Sequence, residues 1–163
     1  SYNRLMPLKL DLTVAAIAEA DGRFLFVQER VARRVVLNQP AGHVEPSESL
    51  IEAVIRETRE ETGRRFTPQS VTGIYQWQGP AGRMILRVAF AGRVDEPLPG
   101  ASLDRAIIRT LWLDRGQLAA RLAEHRSPLV PLCVDDYLRG VRFPLTLLNH
   151  VLQDRPPLLQ AKS

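Results

Sequence analysis

The sequence predicts an α/β fold in which a mixed sheet lies between helical layers. Apolar, β-permissive runs stand on both sides of one long amphipathic segment that ends at Gly63, and two further helical segments follow near the end of the chain. The 163 residues are enough for one domain with a hydrophobic core and too few for two. With 45% hydrophobic and 25% charged residues, the chain has the composition of an ordinary globular protein.

Three strands are expected before the amphipathic segment. After a lead-in of residues 1–9, they span residues 10–18, 23–30 and 35–38. Asp21 and Gly22 separate the first two strands, and two apolar runs around Asp-Gly are typical of a β-hairpin. The third strand leads into a predicted loop, residues 39–42.

The amphipathic segment is predicted to form a helix that begins near Ser49. Ser49 and Glu52 have the spacing of a capping box, in which each side chain accepts a hydrogen bond from the backbone N–H of the other residue. Gly63 suits the left-handed position that ends many helices.

Three strands and two helices are expected after this helix. The strands span residues 71–78, 84–92 and 107–113, and the helices run from Asp114 to Leu122 and from Pro128 to Arg139. Asp114 is expected to cap the first of these helices and Ser127 the second. A single domain is therefore predicted over residues 10–152, with a flexible tail at residues 153–163.

Composition and charge exclude several classes of protein. No apolar run approaches the roughly 20 residues that span a bilayer. The net charge is +4, but the basic residues are scattered and form no tract for nucleic acid. The one cysteine, Cys133, excludes an internal disulfide and suits a reducing cytoplasm, where the protein is expected; a buried position is predicted for it.

Three glutamates near the end of the predicted helix are the main functional signal. Glu57, Glu60 and Glu61 stand at i, i+3 and i+4, so they share one side of the helix. Glu57 and Glu61 continue the apolar stripe of Leu50 and Val54, which would partly desolvate their carboxylates. The last turn of a helix favours cations, so local stability does not explain an acidic cluster there. A solvated acidic helix end is one interpretation; a site for a divalent cation is the other, and the spacing favours it.

The stretch from Gly42 to Gly63 resembles the Nudix box, the loop–helix–loop signature of the Nudix hydrolases. The matching residues are Gly42, Glu48, Arg56, Glu57, Glu60, Glu61 and Gly63. Thr58 and Arg64 depart from the pattern, which usually has bulky aliphatic residues there. The resemblance implies the α/β/α sandwich of the family with a loop–helix–loop metal site. It also implies hydrolysis of phosphoanhydride bonds with Mg²⁺, for which Mn²⁺ is a possible substitute.

Roles for individual residues follow from this resemblance. The expected metal ligands are Glu57, Glu60, Glu61 and the carbonyl of Gly42. Glu60 is the first candidate for the base that takes a proton from the attacking water, and Glu57 is the alternative. Arg56 is expected to orient a glutamate through a charge-assisted hydrogen bond. Asp104, before the strand at 107–113, offers a further carboxylate.

Residues on the two strands after the helix are candidates for substrate selectivity. Tyr75 and Trp77 share a strand face and either stack on a planar ring or belong to the core. Arg87 lies in the middle of an otherwise apolar strand, where its charge is costly unless paired. Arg87 therefore either binds phosphate or forms an ion pair with an acidic neighbour.

A wider likeness connects the chain to bacterial phosphatases of the same family. It rests on the segments LNQPAGHVEPSESLIEAV, YQW, MILRVAF and HRSPLV and runs from about Leu12 to Leu148. The likeness implies release of phosphate from nucleoside di- and triphosphates, thiamine diphosphate and its hydroxymethylpyrimidine diphosphate precursor. The implied pocket residues are Gln39, Tyr75, Trp77, Arg87 and Arg126.

Two alternatives to this function remain open. One is hydrolysis of another nucleoside-diphosphate-linked compound, such as a nucleotide sugar. The other is a non-catalytic ligand-binding module, against which the retention of Arg56 and all three glutamates argues. The expected partner is a small phosphate compound, bound by a monomer or homodimer.

Overall fold

The computed structural model describes residues 9–152 as a mixed sheet with helices on both faces. Its strands are β1 (Leu10–Ala20), β2 (Arg23–Val31), β3 (Arg34–Asn38), β4 (Ala41–His43), β5 (Phe66–Gln78), β6 (Met84–Val94) and β7 (Ile107–Leu113). Its helices are α1 (Leu50–Thr62), α2 (Arg115–Ala119) and α3 (Leu129–Leu138), with 3₁₀ turns at Pro80–Gly82, Leu122–Glu124 and Leu145–Leu147. Residues 1–8, most of the predicted lead-in, and the predicted tail at 153–163 lie outside the described residues. Within the described range, no helix is long and apolar enough to cross a bilayer.

The sheet has two parts that share the β1–β2 hairpin. In the first part, β1 pairs with β6 in parallel, β6 pairs with β5 antiparallel, and β4 pairs antiparallel with β1. In the second part, β2 lies between β3 and β7 and is antiparallel to both. The hairpin turn has positive φ at Asp21 (51°) and Gly22 (77°), which Asp-Gly adopts readily. The hairpin prediction is confirmed.

Two hydrophobic cores lie on opposite faces of this sheet. On one face α1 packs Val54 against Val88 and Phe90 of β6. On the other face α3 packs Cys133 into a cluster that includes Ala89 of β6. Alternate residues of one strand therefore serve the two cores, as expected for a strand covered on both sides. The structure confirms the predicted α/β/α sandwich and the buried position of Cys133.

Local signals at both ends of α1 explain where it begins and ends. Ser49 Oγ accepts a hydrogen bond from Glu52 N at 3.0 Å, and Glu52 Oε2 accepts one from Ser49 N at 2.8 Å. Gly63 has φ 69° and its N–H donates to the Arg59 carbonyl. The predicted capping box and glycine stop are both confirmed. Thr58, which departs from the family pattern, is buried and donates its hydroxyl to the Val54 carbonyl at 2.7 Å.

The last two helices depart from the sequence prediction to different extents. The first, α2, was expected to reach Leu122 and ends at Ala119, although Asp114 caps it as predicted. Leu122, which would continue its buried face one turn after Leu118, is exposed instead. α3 agrees to within one residue at each end, and Ser127 Oγ accepts a hydrogen bond from Leu129 N.

Two strands were missed or cut short by the sequence prediction. β5 begins at Phe66 rather than at residue 71, because a register shift between Pro68 and Ser70 accommodates a proline that lacks an N–H donor. β4 overlaps the second half of the predicted loop 39–42, continues to His43 and pairs with β1. Three residues are too few for an alternation pattern to identify a strand.

Candidate active site

Arg56 connects the loop before α1 to the carboxylates on the helix. Its Nε and Nη2 donate to the two carboxylate oxygens of Glu48, at 2.6 and 3.1 Å. Its Nη1 donates to Glu57 Oε1 at 2.9 Å and to Glu60 Oε2 at 3.0 Å, and Nη2 also reaches the His43 carbonyl at 3.0 Å. The bidentate pair lowers the pKa of the Glu48 carboxyl and raises the pKa of Arg56. One guanidinium thus fixes the loop and two helix carboxylates together.

Glu57 and Glu60 lie beside Asp104, which precedes β7. One carboxylate oxygen from each of the three lies within 4.8 Å of the others. The Asp104 N–H donates to the Glu60 carbonyl at 3.0 Å, which ties that loop to the helix. Burial raises the pKa of the Glu57 carboxyl, and Arg56 opposes this. Carboxylates this close repel one another, and a hard divalent cation with oxygen ligands would neutralise them.

Glu61 is the most buried of the predicted metal ligands, with only 4% of its surface exposed. Its Oε1 accepts a hydrogen bond from the Ala41 N–H at 3.1 Å, and its buried Oε2 has no hydrogen-bond partner within residues 9–152. Burial raises the pKa of this carboxyl to about 9; the Ala41 N–H opposes the rise, and the charges of Glu29, Glu57 and Asp104 add to it. A buried, unpartnered carboxylate oxygen among other carboxylates fits a divalent cation, so the residues present suit the expected metal site.

Gly42 leaves the space that the Glu57 carboxylate occupies. It lies in β4 opposite Val14 of β1. A Cβ added to Gly42 would stand 2.1 Å from Glu57 Cδ and 2.2 Å from its Oε1. Any other residue type would push that carboxylate aside. The sequence suggested Gly42 as a carbonyl ligand, and the structure adds this close approach as a second reason for glycine.

A cavity of about 420 Å³ lies beside Gly42, between the two parts of the sheet. Its charged lining residues are Asp11, Glu29, Arg34, Arg83, Arg87 and Arg126. Asp11 pairs with Arg83, and Glu29 pairs with Arg126. In the part of the chain that the structure describes, Arg34 and Arg87 have no carboxylate within 4.0 Å. The cavity therefore has an excess of positive charge suited to an anion.

Arg87 is the most buried of these arginines, with 5% of its surface exposed. Its Nη1 donates to Gln39 Oε1 at 3.0 Å and its Nη2 to Asn38 Oδ1 at 3.1 Å. Its buried Nε has no hydrogen-bond partner among the residues that the structure describes. Gln39 in turn donates through Nε2 to the Val130 carbonyl at 2.7 Å, which turns its amide oxygen towards Arg87. The partners are neutral amides, so they orient the guanidinium and leave its charge uncompensated. Gln39 acts behind Arg87 and does not line the cavity.

The two aromatic candidates contact the same core, but only one of them lines the cavity. Trp77 is half-buried, packs against the core on the α3 side and lines the cavity. Tyr75 belongs to the core on the α3 side, and its hydroxyl donates to Asp136 Oδ2 at 2.6 Å. Burial raises the pKa of the Tyr75 hydroxyl, and the bond to Asp136 adds to the effect. Of the two roles left open by the sequence, Tyr75 therefore has the core position, and Trp77 lines the cavity as well as touching the core.

Comparison with known proteins decides the family. Residues 9–133 match the model of the NUDIX domain. The chain belongs to the NUDIX family. It is 36% identical to Phosphatase NudJ of Escherichia coli strain K12 over 141 residues, and this alignment covers 86% of this chain and 92% of NudJ. The identity and coverage are the same for Phosphatase NudJ of Shigella sonnei strain Ss046. Among solved structures, a NUDIX hydrolase from Nitrosomonas europaea superimposes with a TM-score of 0.85 and 43% identity, covering 88% of this chain and 98% of that one.

The protein is thus a Nudix hydrolase similar to the phosphatase NudJ. Nudix hydrolases generally use divalent metals, and the structure groups the carboxylates of Glu57 and Glu60 with that of Asp104. Glu61 lies outside this group, but the charges of Glu57 and Asp104 add to the rise of its pKa. The family and enzyme class predicted from the Gly42–Gly63 motif are confirmed.

Several residues that line the cavity or contact Arg87 were not predicted from the sequence. Asn38 shares Arg87 with Gln39, Arg34 lines the cavity from β3, and Glu29 lines it from β2. A weak signal existed for Glu29, because it is a charged residue on the strand face shared with Val27 and Val31. Nothing in the local sequence distinguishes Arg34 from the other arginines.

Proposed function

We propose that this Nudix hydrolase releases orthophosphate from small compounds that carry a diphosphate or triphosphate. The expected substrates are nucleoside di- and triphosphates, thiamine diphosphate and hydroxymethylpyrimidine diphosphate. The observation that carries the proposal is Arg87, a buried guanidinium held by neutral amides at a cavity beside the carboxylates of α1. A buried charge without a counter-ion is costly, and a phosphate group would compensate it. The substrate names rest on the wider sequence likeness to bacterial phosphatases.

Mg²⁺, with Mn²⁺ as a substitute, is the proposed cofactor. Its ligands would be Glu57, Glu60, Glu61 and the Gly42 carbonyl, with Asp104 as a further oxygen ligand. A divalent cation bound there supplies charge neutralisation on the phosphoryl oxygens and makes water more acidic.

The exposure of each carboxylate indicates which of them acts as the base. Glu60 is half-exposed and is the proposed base, since water reaches it while Arg56 holds its Oε2. Glu57 is more buried and shares the same Arg56 nitrogen, which makes it the alternative base. Arg56 is a positioning residue in this scheme, because its loss would release both carboxylates at once.

Arg87, Arg126 and Trp77 are proposed to bind the substrate. Arg126 Nη1 donates to Glu29 Oε1 at 3.2 Å, and the side chain is half-exposed. The other N–H groups of this guanidinium can therefore bind a phosphate. Trp77 offers a planar surface for a base or pyrimidine ring. Gln39 and Tyr75 would act indirectly, through Arg87 and through α3. A cytoplasmic location and a monomeric or dimeric state remain predictions from the sequence.

A substrate panel tests the proposal. Nucleoside di- and triphosphates, thiamine diphosphate and a nucleotide sugar are incubated with Mg²⁺ or Mn²⁺, and orthophosphate and pyrophosphate are assayed separately. We expect orthophosphate as the main product and slow turnover of the nucleotide sugar. Dominant pyrophosphate release, or a preference for the nucleotide sugar, would reject this substrate class. Binding without turnover of any compound would favour a ligand-binding module.

A further inference from the structure

An apolar groove of about 410 Å³ adjoins the cavity. The two surfaces share four lining residues: Trp77, Pro80, Arg126 and Ser127. The groove has four lining residues of its own: Leu122, His125, Pro128 and Pro131. Among the described residues that line it, Arg126 alone carries a full charge. This surface is called the Trp77 groove below.

Leu122 presents a large apolar side chain to the Trp77 groove. Its surface is 70% exposed, although helical spacing from the fully buried Leu118 predicts burial. α2 ends at Ala119, and the chain then forms the 3₁₀ turn Leu122–Glu124. The change of backbone geometry places Leu122 in the groove instead of the core. A leucine this exposed gives up apolar surface to water that a ligand could cover, which would favour binding.

The segment that carries Leu122 is held by hydrogen bonds to the rest of the fold. The His125 ring donates through Nε2 to the Leu118 carbonyl at 2.8 Å. The Arg126 N–H donates to the Leu37 carbonyl at 2.8 Å. Because the fold itself fixes this side of the groove, a ligand need not order it on binding.

Trp77 connects the groove to the cavity. Its side chain packs against the core on the α3 side and lines both surfaces. Gly79 lies against its six-membered ring, since a Cβ added to Gly79 would stand 3.1 Å from Trp77 Cη2 and Cζ3. The indole is therefore held in place, and stacking a planar ring on it requires little further ordering.

We propose that the Trp77 groove binds the planar ring of the substrate, and that Leu122 determines selectivity for that ring. This inference rests on the proposed function, in which the phosphates of the substrate lie in the cavity. The cavity has an excess of positive charge, whereas the adjoining groove is apolar. A compound with an anionic end and a ring therefore meets a complementary surface at each end, with Arg126 at the boundary.

Methyl NMR spectra with two non-hydrolysable probes test where the ring lies. The probes are α,β-methylene adenosine diphosphate and methylenediphosphonate, each added with Mg²⁺; only the first carries a ring. We expect the Leu122 methyl resonances to shift with the nucleotide probe and to change little with methylenediphosphonate. Val36, which lines the cavity, should shift with both probes because both place phosphorus groups there.

The other outcomes of this experiment overturn the inference and distinguish the reasons. Shifts at Val36 without shifts at Leu122 would place the ring outside the groove and leave the proposed function intact. Equal shifts at Leu122 with both probes would indicate a general change of conformation rather than contact with a ring. If neither probe shifts Val36, the phosphates do not bind in the cavity, and the proposed function fails together with the inference.

Kinetics of Leu122→Ser test the selectivity role. This substitution should raise KM for nucleoside di- and triphosphates by about 3- to 10-fold, because a ligand covers only part of a leucine side chain. The loss should appear in KM rather than in kcat, since Leu122 lines the groove and not the cavity beside the carboxylates. Leu147→Ser is the matched control: Leu147 is 49% exposed, also belongs to a 3₁₀ turn and is not among the described lining residues of either surface. Unchanged KM in Leu122→Ser, or the same change in both variants, would overturn the inference.

Discussion

Replacing Glu61 by glutamine should stabilise the protein at neutral and alkaline pH once divalent cations are removed. Burial raises the pKa of Glu61 from its ordinary value of 4.5 to about 9 in the folded chain. Below pH 4.5 both the folded and the unfolded chain hold this proton. Between the two pKa values the unfolded chain releases it and the folded chain retains it, so the free energy of unfolding falls as pH rises. Above the folded pKa the loss is complete.

The size of the effect follows from the pKa difference. Each pH unit between the two values costs 2.303RT, about 1.4 kcal/mol, so wild type should lose roughly 3–4 kcal/mol between pH 5 and pH 8. The 4% exposure of Glu61 leaves little screening by solvent. Glutamine keeps an acceptor for the Ala41 N–H and does not titrate. For a domain of this size the difference corresponds to roughly 10 °C in melting temperature.

Thermal and urea unfolding at pH 5 and pH 8, with a chelator present, measure this difference. Wild type should lose stability relative to Glu61→Gln as pH rises, and Glu96→Gln, which alters a side chain that is 96% exposed, should follow wild type. Excess Mg²⁺ should stabilise wild type at pH 8 more than it stabilises Glu61→Gln, because a bound cation removes the cost of ionising Glu61. Parallel pH dependence of the stability of wild type and Glu61→Gln would show that Glu61 does not have a raised pKa in the folded chain.

Two further substitutions probe the neighbours of the carboxylates. Gly42→Ala should lower kcat by about 100-fold, the usual effect of a 1 Å misplacement, because the new methyl displaces the Glu57 carboxylate. Its melting temperature should change little, because the flexible end of the Glu57 side chain can move away from the new methyl group. Wild-type turnover would contradict the close approach of Glu57 to Gly42. Trp77→Ala should cost about 5- to 150-fold in kcat/KM on ring-bearing substrates, from a stacking energy of roughly 1–3 kcal/mol. If inorganic triphosphate is a substrate, the substitution should lower kcat/KM far less on it, because it has no ring. Equal losses of kcat/KM on both kinds of substrate, with a large drop in melting temperature, would assign Trp77 to the core.

Local patterns predicted the parts of this fold that depend on near neighbours in sequence. The Asp21-Gly22 hairpin and the Ser49–Glu52 capping box involve residues at most three apart. The spacing of Glu57, Glu60 and Glu61 likewise follows from helix periodicity. These features are readable from sequence because backbone geometry alone brings the residues together.

The rest of the site depends on contacts between distant residues. Arg126 and Glu29 are 97 positions apart, and Arg87 and Asn38 are 49 apart. No short-range pattern predicts which of many arginines will meet a carboxylate or an amide, because the packing of the sheet decides it. Tyr75 shows the same limit, since it has the strand position of a pocket residue and yet bonds Asp136, 61 positions away.

Orthophosphate release by Glu57→Gln tests whether the carboxylates of α1 hold a divalent cation beside the cavity that binds the substrate's phosphates. Turnover of thiamine diphosphate and of a nucleoside triphosphate is measured with saturating Mg²⁺ for wild type and Glu57→Gln, with melting curves to establish folding. We expect a chelator to abolish wild-type turnover and Glu57→Gln to lower kcat by several orders of magnitude with the fold intact. Near-wild-type turnover in a correctly folded Glu57→Gln protein would contradict it.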